Sequence, residues 1–360
     1  MGLTFRTILW PFSLLYGIAV GVRNRFFDRG RLPSVAFGVP VISVGNITAG
    51  GTGKTPHVEY LAALLSGRHR VAVLSRGYGR KTGGFILLGK NSKASEAGDE
   101  PVQIKRKFPG IEVAVCNDRV QGIKKLLEMD PAPEIILLDD AFQHRYVKPR
   151  VSVLLVNYNR PVFRDMLLPA GNLREPWKNA KRADIVIVTK CTVPLPGHEM
   201  SSFVSKLKVR DGQSVYFTTY AYGEPVFLYP GDHAQHEDLT FGMLQKQGAG
   251  ILLVTGVADP RPLKDFLSGK AEVSASITYG DHHNFTAADI GNISAKFGSI
   301  RKDKKYIMVT EKDAVRIADM KISDKKLREA LCYIPVKVKF LAGGEASFTG
   351  RLEYFLKKQT

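Results

Sequence analysis

Residues 40–56 read PVISVGNITAGGTGKTP: a short apolar run passes into a glycine-rich turn, and a helical pattern follows. A turn of this composition between a strand and a helix is typical of a P-loop, in which backbone N–H groups hold phosphate oxygens at the start of the helix. In such a loop Lys54 would reach the β- and γ-phosphates, and the Thr55 hydroxyl would bind Mg²⁺. The stretch therefore predicts a site for a nucleoside triphosphate.

One position departs from the usual P-loop pattern. The pattern G-x-x-x-x-G-K-[ST] has a glycine six residues before the lysine, where this chain has Thr48. The later glycines still let the backbone approach an anion closely, and Pro56 suits the first turn of a helix. The predicted nucleotide-binding residues are Thr48, Ala49, Gly50, Gly51, Thr52, Gly53, Lys54 and Thr55.

A second apolar run ends in two carboxylates. Residues 135–138 are Ile-Ile-Leu-Leu, and Asp139 and Asp140 follow them, 85 residues after Lys54. Magnesium prefers oxygen ligands, and P-loop enzymes take one from an acidic residue at the end of a neighbouring strand. We therefore predict Asp139 and Asp140 as metal ligands together with Thr55. Which aspartate binds the metal and which faces substrate or water stays open.

Apolar runs alternate with helical patterns along most of the chain. This rhythm predicts an α/β fold: a P-loop NTPase core with a mostly parallel sheet covered on both faces, and a second, smaller α/β lobe. The predicted limits are an N-terminal helix at 1–28, the core at 29–225 and the smaller lobe at 226–360. The strand-like runs are 40–46, 71–78, 113–116, 134–142, 151–157 and 183–190, then 251–257, 306–313 and 333–340.

Charge and cysteine content narrow the class of protein. The 360 residues include 52 Lys and Arg against 34 Asp and Glu, a net charge of +18, which favours anionic partners. No nucleic-acid-binding signature accompanies this charge, so we expect no nucleic acid, and no obligate protein partner is evident. The three cysteines are widely spaced, which favours a reducing, cytoplasmic location over a disulfide framework.

An uncharged run near the N-terminus has three interpretations. Residues 8–22 carry no charge, and arginines flank them. The run is shorter than the ~20 residues of a simple membrane span, so a core helix, a signal peptide and an interfacial or marginally spanning anchor all compete. The anchor fits best, with Trp10 and Tyr16 near the lipid headgroups and the arginines on anionic phosphates.

Eight segments in order together resemble the tetraacyldisaccharide 4'-kinase family, the lipid A 4'-kinases of Gram-negative bacteria. They are VGNITAGGTGKTP (44–56), SRGYGR (75–80), GDEP (98–101), LDDAFQHR (138–145), LPAGNLREP (168–176), TGVADP (255–260), DHHNFT (281–286) and TEKDAVRI (310–317). The resemblance implies that ATP phosphorylates the 4'-hydroxyl of a tetraacyl glucosamine disaccharide 1-phosphate, a lipid A precursor. It also implies the cytoplasmic face of the bacterial inner membrane and a site in the cleft between two lobes.

The resemblance also assigns the proton acceptor. A sugar hydroxyl is a weak nucleophile that a positioned base assists, and the catalytic aspartate of the family falls on Asp99. By local propensity alone Asp99 would be a helix cap. A histidine of the segment 281–285 would orient the carboxylate, and His282 is favoured over His283. No further ligands at metal-site spacing accompany these histidines, which counts against zinc.

Cationic side chains should surround the transferred phosphoryl group. Arg174 is our choice for this group or for the phosphate that the acceptor already carries, with Glu175 orienting it or touching Mg²⁺. Further candidates for acidic groups or substrate are Arg76, Arg119, Gln143 and His144. The segment Thr310–Asp313 is expected to make a nucleotide-side or interlobe contact.

The main alternative function is a membrane-tethered regulatory GTPase or ATPase. Such a switch predicts slow hydrolysis and ordering of loops by nucleotide, and it gives Asp99, His282 and Arg174 no evident role. A polyanion-binding membrane protein is a third alternative, which the pairing of a P-loop with a carboxylate strand disfavours.

Overall fold

The computed structural model describes residues 2–232, 238–257, 259–281 and 283–358, and it describes side chains from Ile8 onward. The helices are α1 Gly2–Asp28, α2 Lys54–Ser66, α3 Ala94–Ala97, α4 Asp99–Lys107, α5 Arg119–Leu127, α6 Gly197–Leu207, α7 Phe241–Lys246, α8 Arg261–Ser268, α9 Ala287–Gly298, α10 Glu311–Ala318, α11 Lys325–Ala330 and α12 Gly344–Lys357. Short 3-10 helices span Val162–Arg164, Trp177–Arg182 and Pro230–Asp232.

The strands form two separate sheets. Nine of them follow the order β14-β8-β7-β6-β1-β5-β2-β4-β3, and five follow the order β11-β10-β12-β13-β9. The strands are β1 Val41–Asn46, β2 Val71–Ser75, β3 Ile86–Leu87, β4 Glu112–Val115, β5 Ile135–Asp139, β6 Val151–Asn157, β7 Ile185–Thr189, β8 Ser214–Tyr222, β9 Val226–Phe227, β10 Gly250–Thr255, β11 Glu272–Thr278, β12 Lys305–Thr310, β13 Leu331–Ile334 and β14 Val336–Phe340.

The larger sheet is parallel except at its two edges. β3 and β14 run antiparallel to their neighbours, and all other adjacent strands are parallel. Every residue of β1, β2, β5, β6 and β7 is buried, as expected for strands covered on both faces. The predicted α/β fold with a mostly parallel main sheet is thus confirmed, with β1 between β5 and β6.

Helices cover both faces of this sheet. On one face α2, α4 and α12 contribute buried side chains such as Leu61, Ile104 and Phe348 to one apolar cluster. On the other face Ile123 of α5 and Leu207 of α6 pack against the strands in two further clusters. Each fully buried aliphatic side chain contributes about 1.5–3 kcal/mol of transfer free energy, so this layering fixes the strand ends that carry the polar residues described below.

The smaller sheet has its own two helical layers. Residues of α9, α10 and α11, such as Ile293, Ile317 and Leu327, pack on one face. Leu244 of α7 and Leu263 of α8 pack on the other. Strands β10 to β13 are parallel, and β9 pairs antiparallel with β13. This is the second, smaller α/β lobe that the sequence predicts.

The C-terminal residues return to the larger sheet, in contrast to the expectation that residues 226–360 form one lobe. The predicted single run 333–340 is broken at Pro335 into the end of β13, which pairs with β12, and β14, which pairs with β8. Proline lacks the N–H that a ladder requires, so a strand changes partners readily at this point. α12 then packs on the larger sheet through Phe348 and Leu352.

Helix α1 turns its polar side inward. Ser13 and Asn24 are buried against the rest of the molecule, and the Tyr16 hydroxyl donates to the Arg174 carbonyl at 2.8 Å. The sequence predicts Tyr16 near the lipid headgroups, but its hydroxyl is directed into the protein. Within the described ranges, no helix combines the length and apolar character that a membrane crossing requires. The exposed large apolar side chains of α1 are Ile8, Trp10, Phe12, Leu14, Leu15, Ile18, Val22 and Phe26.

The three cysteines, Cys116, Cys191 and Cys332, are free and buried. They act as small apolar side chains in the cores of the two lobes.

Candidate active site

The glycine-rich turn between β1 and α2 forms an open loop at the start of a helix. Gly50, Gly51 and Gly53 have φ values of 75°, 56° and 80°, a left-handed region that favours glycine. α2 begins at Lys54, immediately after the last of them. The loop therefore has the backbone form that a phosphate-binding turn requires, and the N-terminal N–H groups of α2 lie next to it.

Polar contacts from distant segments hold this loop, and sequence reasoning had singled out none of them. The Ala49 N–H donates to the Asn172 carbonyl at 2.7 Å. The Thr189 hydroxyl at the end of β7 donates to the Thr52 carbonyl at 2.9 Å, and the Asn157 amide at the end of β6 donates to Gly51 at 3.3 Å. The signal for the last two was available, because both residues lie at the carboxyl ends of predicted parallel strands, where ligands are bound in such sheets.

A buried histidine of α2 and a half-buried tyrosine of β8 close the loop on the side of β8. The His57 Nδ1 atom lies 2.7 Å from the Gly53 carbonyl, which only accepts, so Nδ1 carries the proton and Nε2 faces the Thr218 hydroxyl at 3.0 Å. Burial lowers the pKa of His57 to about 4, so its ring is neutral. A Cβ atom on Gly53 would lie 2.1 Å from the Tyr220 hydroxyl.

The carboxylate strand lies beside the P-loop strand, as the sequence predicts. β5 pairs with β1 in parallel and brings Asp139 opposite Val44. Asp139 is buried; its Oδ2 accepts from the Ser75 hydroxyl at 3.3 Å, and its Oδ1 has no hydrogen-bond partner among the described residues. Burial, and then the charges of Glu100 and Asp140, raise the pKa of Asp139 to about 7. A bound cation would stabilise the charged form of this buried carboxylate and give its Oδ1 atom a partner.

Asp140 lies between two of the predicted catalytic cations. The Lys54 Nζ atom is 3.7 Å from its Oδ1, and the Arg174 Nη1 atom is 3.2 Å from both carboxylate oxygens. Asp140 itself has φ 49°, so the chain turns sharply at the strand end and directs this residue to the loop. Lys54, Asp140 and Arg174, which come from three distant segments, thus form one cluster.

Glu175, which the sequence predicts as a possible metal ligand, is surrounded by hydrogen-bond donors of the protein. It is buried, and its two oxygens accept from Arg182, Gln143, Asn179 and Asn24 at 2.9–3.2 Å. A carboxylate engaged by four side chains has no oxygen directed at a metal in this structure. Its contacts tie α1 and the residues after β5 to the loop that carries Arg174.

Asp99 is the first residue of α4, and it faces the second lobe. The Glu100 N–H donates to its Oδ1 at 3.1 Å. The Arg316 Nε atom of α10 donates to its Oδ2 at 3.0 Å, and the Lys312 Nζ atom lies 3.8 Å from the same oxygen. The segment Thr310–Asp313 therefore makes the interlobe contact, one of the two options expected from the sequence.

The predicted histidine partner, His282, lies outside the described residues. Its neighbour His283 is engaged elsewhere: its Nε2 atom is 3.0 Å from Asp289 Oδ2, and its ring stacks on Tyr279 at a centroid distance of 4.4 Å. His283 thus supports the loop before α9.

A cluster of basic side chains adjoins the carboxylate strand. Arg119 is buried and donates to the Asp139 carbonyl at 3.3 Å, and its Nε atom has no partner among the described residues. The His144 Nε2 atom likewise lacks one, and burial followed by the charges of Arg119, Arg23 and Arg76 lowers the pKa of His144 to about 4. A neutral histidine beside three arginines is a favourable place for an anion.

Comparisons with known proteins agree over nearly the whole chain. Residues 5–357 match the family described as tetraacyldisaccharide-1-P 4'-kinase. The tetraacyldisaccharide 4'-kinase of Phocaeicola vulgatus is 43% identical over 98% of this chain and 95% of that protein, and the one of Bacteroides fragilis is 42% identical over 98% and 93%. The crystal structure of LpxK from Aquifex aeolicus in complex with ATP has a TM-score of 0.75 at 28% identity, covering 98% of this chain and 99% of that one.

Proposed function

This chain belongs to the tetraacyldisaccharide 4'-kinase family and acts as a kinase of lipid A biosynthesis, and we propose that the cluster of Lys54, Asp140 and Arg174 beside the glycine loop is where it transfers the phosphoryl group. The bond between the γ-phosphorus of ATP and the β,γ-bridging oxygen breaks. A bond forms from the γ-phosphorus to the 4'-oxygen of the tetraacyl disaccharide 1-phosphate, and ADP leaves. The observation that carries the assignment is the convergence of the two cations, Lys54 and Arg174, on the Asp140 carboxylate at the loop.

The nucleotide is bound by residues 48–55. Their backbone N–H groups and Lys54 hold the phosphates, and the start of α2 adds its positive dipole end. Lys54 and Arg174 contact Asp140, and the stronger charge of a triphosphate would draw both cations to the transferred group. Stabilising charge on that group is the main task of the protein in phosphoryl transfer.

The residues fit a magnesium ion on the side of Asp139. The partnerless Oδ1 of Asp139, the Thr55 hydroxyl and Asp140 would hold it, and the ion would neutralise charge on the β- and γ-phosphates. The described residues contain no group of three or more His, Cys, Asp and Glu side chains that forms a metal site alone. Phosphate oxygens and water would therefore complete the coordination.

Asp99 takes the proton of the 4'-hydroxyl as the new bond forms, and His282 is its proposed partner. The support is positional: Asp99 begins α4 at the cleft between the lobes, and its carboxylate is fixed by contacts from both of them. A general base of this kind contributes about 10²–10⁴-fold to the rate.

The acceptor's own phosphate suits the basic cluster of Arg23, Arg76, Arg119 and His144. The partnerless Arg119 Nε and His144 Nε2 atoms are buried there and would gain a partner from a bound anion. Gln143 lies next to this cluster, and its backbone carbonyl accepts from the Arg23 side chain at 3.0 Å.

The apolar face of α1 lies on the membrane surface, at the cytoplasmic face of the bacterial inner membrane. Eight large apolar side chains of this helix are exposed, from Ile8 to Phe26, while its polar side contacts the Arg174 loop through Ser13, Tyr16 and Asn24. An interfacial helix buries its apolar side in the lipid and keeps basic flanks near anionic headgroups. The bilayer would then lie next to the site that receives its lipid substrate.

Transfer of labelled phosphate tests this function. The purified protein is incubated with γ-labelled ATP, Mg²⁺ and total bacterial lipid, and labelled lipid is compared with free phosphate. We expect label in lipid and little hydrolysis without acceptor, with a loss of several orders of magnitude in Lys54→Ala and Asp99→Ala. Lys206→Ala, which removes an exposed lysine of α6, serves as the control and should retain activity. Label in free phosphate alone would favour the regulatory NTPase instead.

A further inference from the structure

One arginine of the second lobe bridges two carboxylates. The Arg316 side chain is buried, its Nε atom donates to Asp99 Oδ2 at 3.0 Å, and its Nη2 atom pairs with the same oxygen. Its Nη1 atom donates to Asp313 Oδ1 at 3.3 Å and to the Gly256 carbonyl at 3.4 Å. The guanidinium group therefore connects the first residue of α4 to the carboxyl end of β10.

The second carboxylate is itself held in place. Asp313 is fully buried, and its Oδ2 accepts from the Gly256 N–H at 2.8 Å and from the Thr310 hydroxyl at 2.7 Å. Both oxygens of Asp313 are thus engaged, and Arg316 has little freedom to move relative to the second sheet. Burying an arginine is favourable only when its charge and its N–H groups are matched in this way.

The same contacts fix the carboxylate of Asp99. Its Oδ1 accepts from the Glu100 N–H on its own helix, and its Oδ2 is held by Arg316 from the other lobe. A carboxylate anchored at both oxygens keeps one orientation. Displacement of a reacting group by about 1 Å can lower the rate roughly 100-fold.

We propose that Arg316 is a positioning residue for phosphoryl transfer, through which the second lobe holds the Asp99 carboxylate in the orientation that accepts the hydroxyl proton. The proposal rests on the role of Asp99 given above. The proposal explains why three separated segments come together: residues 98–101, 255–260 and 310–317 meet at this one guanidinium. Lys312 adds a second cation to the junction, 3.5 Å from Glu100.

A double-mutant cycle tests the proposal. Arg316→Gln should lower kcat by roughly 100-fold with KM for ATP changed by less than about 3-fold, because the side chain orients the base and does not contact nucleotide. In the Asp99→Asn background the same substitution should lower kcat by no more than about 2-fold, since the group it orients is already inactive. A residue that only joins the lobes would give the same loss in both backgrounds, and that result would overturn the proposal.

Arg106 supplies a matched control. It lies on α4 and also reaches α10 and the residue after it, donating to the Val315 carbonyl at 3.1 Å and to Asp319 at 2.8 Å, without a described contact to Asp99. Arg106→Gln should keep kcat within about 3-fold of the parent. An equal loss from Arg106→Gln and Arg316→Gln would contradict a specific role for Arg316.

The conservative variant keeps the test decisive if Arg316→Gln does not fold. Arg316→Lys retains the charge but cannot reach Asp99 and Asp313 at once, so kcat should fall by roughly 10-fold in the parent and remain unchanged in the Asp99→Asn background. Parent-like activity of both Arg316→Lys and Arg316→Gln would overturn this inference and leave the proposed role of Asp99 in place. Parent-like activity of Asp99→Asn would instead remove the proposed base, and the inference with it.

Discussion

At the scale of single residues, the glycine loop depends on side chains that lie far away in the sequence. The β8 residues Thr218 and Tyr220 approach Gly53 and His57 from the opposite side to the carboxylate strand. The shape of the loop is therefore set by its packing as well as by its own glycines. Two substitutions separate these effects.

The first prediction contrasts two glycines of the loop. Gly53→Ala places a Cβ 2.1 Å from the Tyr220 hydroxyl at φ 80°, whereas a Cβ at Gly51, with φ 56°, has no atom within 4 Å. Gly51→Ala should therefore cost about 1 kcal/mol of backbone strain, and Gly53→Ala that strain plus roughly 1–3 kcal/mol of overpacking. Urea unfolding without nucleotide measures both. Equal losses would mean that Tyr220 does not restrict the loop.

The second prediction concerns the loss of folding stability at acid pH that protonation of His57 would cause. Its folded pKa of about 4 lies below the ordinary value of 6.5, so its stabilising contribution is complete above pH 6.5 and is lost as pH falls toward 4. The lost free energy of unfolding approaches about 3 kcal/mol, at ~1.4 kcal/mol for each pH unit. His57→Gln should show a shallower decline between pH 6.5 and 4 than the parent. The exposed His198→Gln is the control, and an unchanged slope in His57→Gln would contradict the buried neutral ring.

At the scale of elements, α1 inverts the usual arrangement of an amphipathic helix. Its polar residues Ser13, Tyr16 and Asn24 contact the segment that carries Arg174 and Glu175, and eight of its large apolar residues are exposed. A helix whose apolar side covers no core has that side available for lipid. The uncharged run could be recognised from the sequence, but the inward polar contacts could not, because their partners lie about 150 residues away.

The third prediction tests the apolar face with matched charges. Ile18 of α1 is 55% exposed and Tyr354 of α12 is 53% exposed, so Ile18→Glu and Tyr354→Glu add the same charge at similar exposure. Ile18→Glu should weaken binding to vesicles of anionic phospholipid by at least roughly 10-fold, through lost apolar burial and repulsion from the headgroups. Tyr354→Glu should have little effect. Equal weakening by both variants would indicate general electrostatic attraction, without insertion of α1.

At the scale of the whole molecule, the two sheets meet through α4 and α10. The Lys107 side chain of α4 contacts Glu59 of α2 at 2.7 Å and Glu311 of α10 at 2.8 Å, and Arg316 contacts Asp99 at the other end of α4. α4 thus links the helix that follows the glycine loop to the second lobe. A shift between the lobes would move the proposed base relative to the phosphate site.

The parts of this architecture that local sequence encodes were predictable. Buried strands have continuous apolar runs, and a P-loop has a fixed glycine spacing, so β1, β5, Lys54 and Asp139 followed from the sequence. The surroundings of Glu175 and the proposed role of Arg316 did not, because three separate segments supply the contacts of each. The return of β14 to the larger sheet likewise depends on tertiary pairing, with Pro335 as its only local sign.

The position of the new phosphate on the product is the most direct test of the account. Purified protein, ATP, Mg²⁺ and tetraacyl disaccharide 1-phosphate are incubated, and the lipid is analysed by ³¹P NMR with proton correlation. The account predicts a second phosphate monoester at the 4'-oxygen, formed by the parent and lost in Asp99→Asn. A product that carries no 4'-phosphate while ATP is consumed would contradict it.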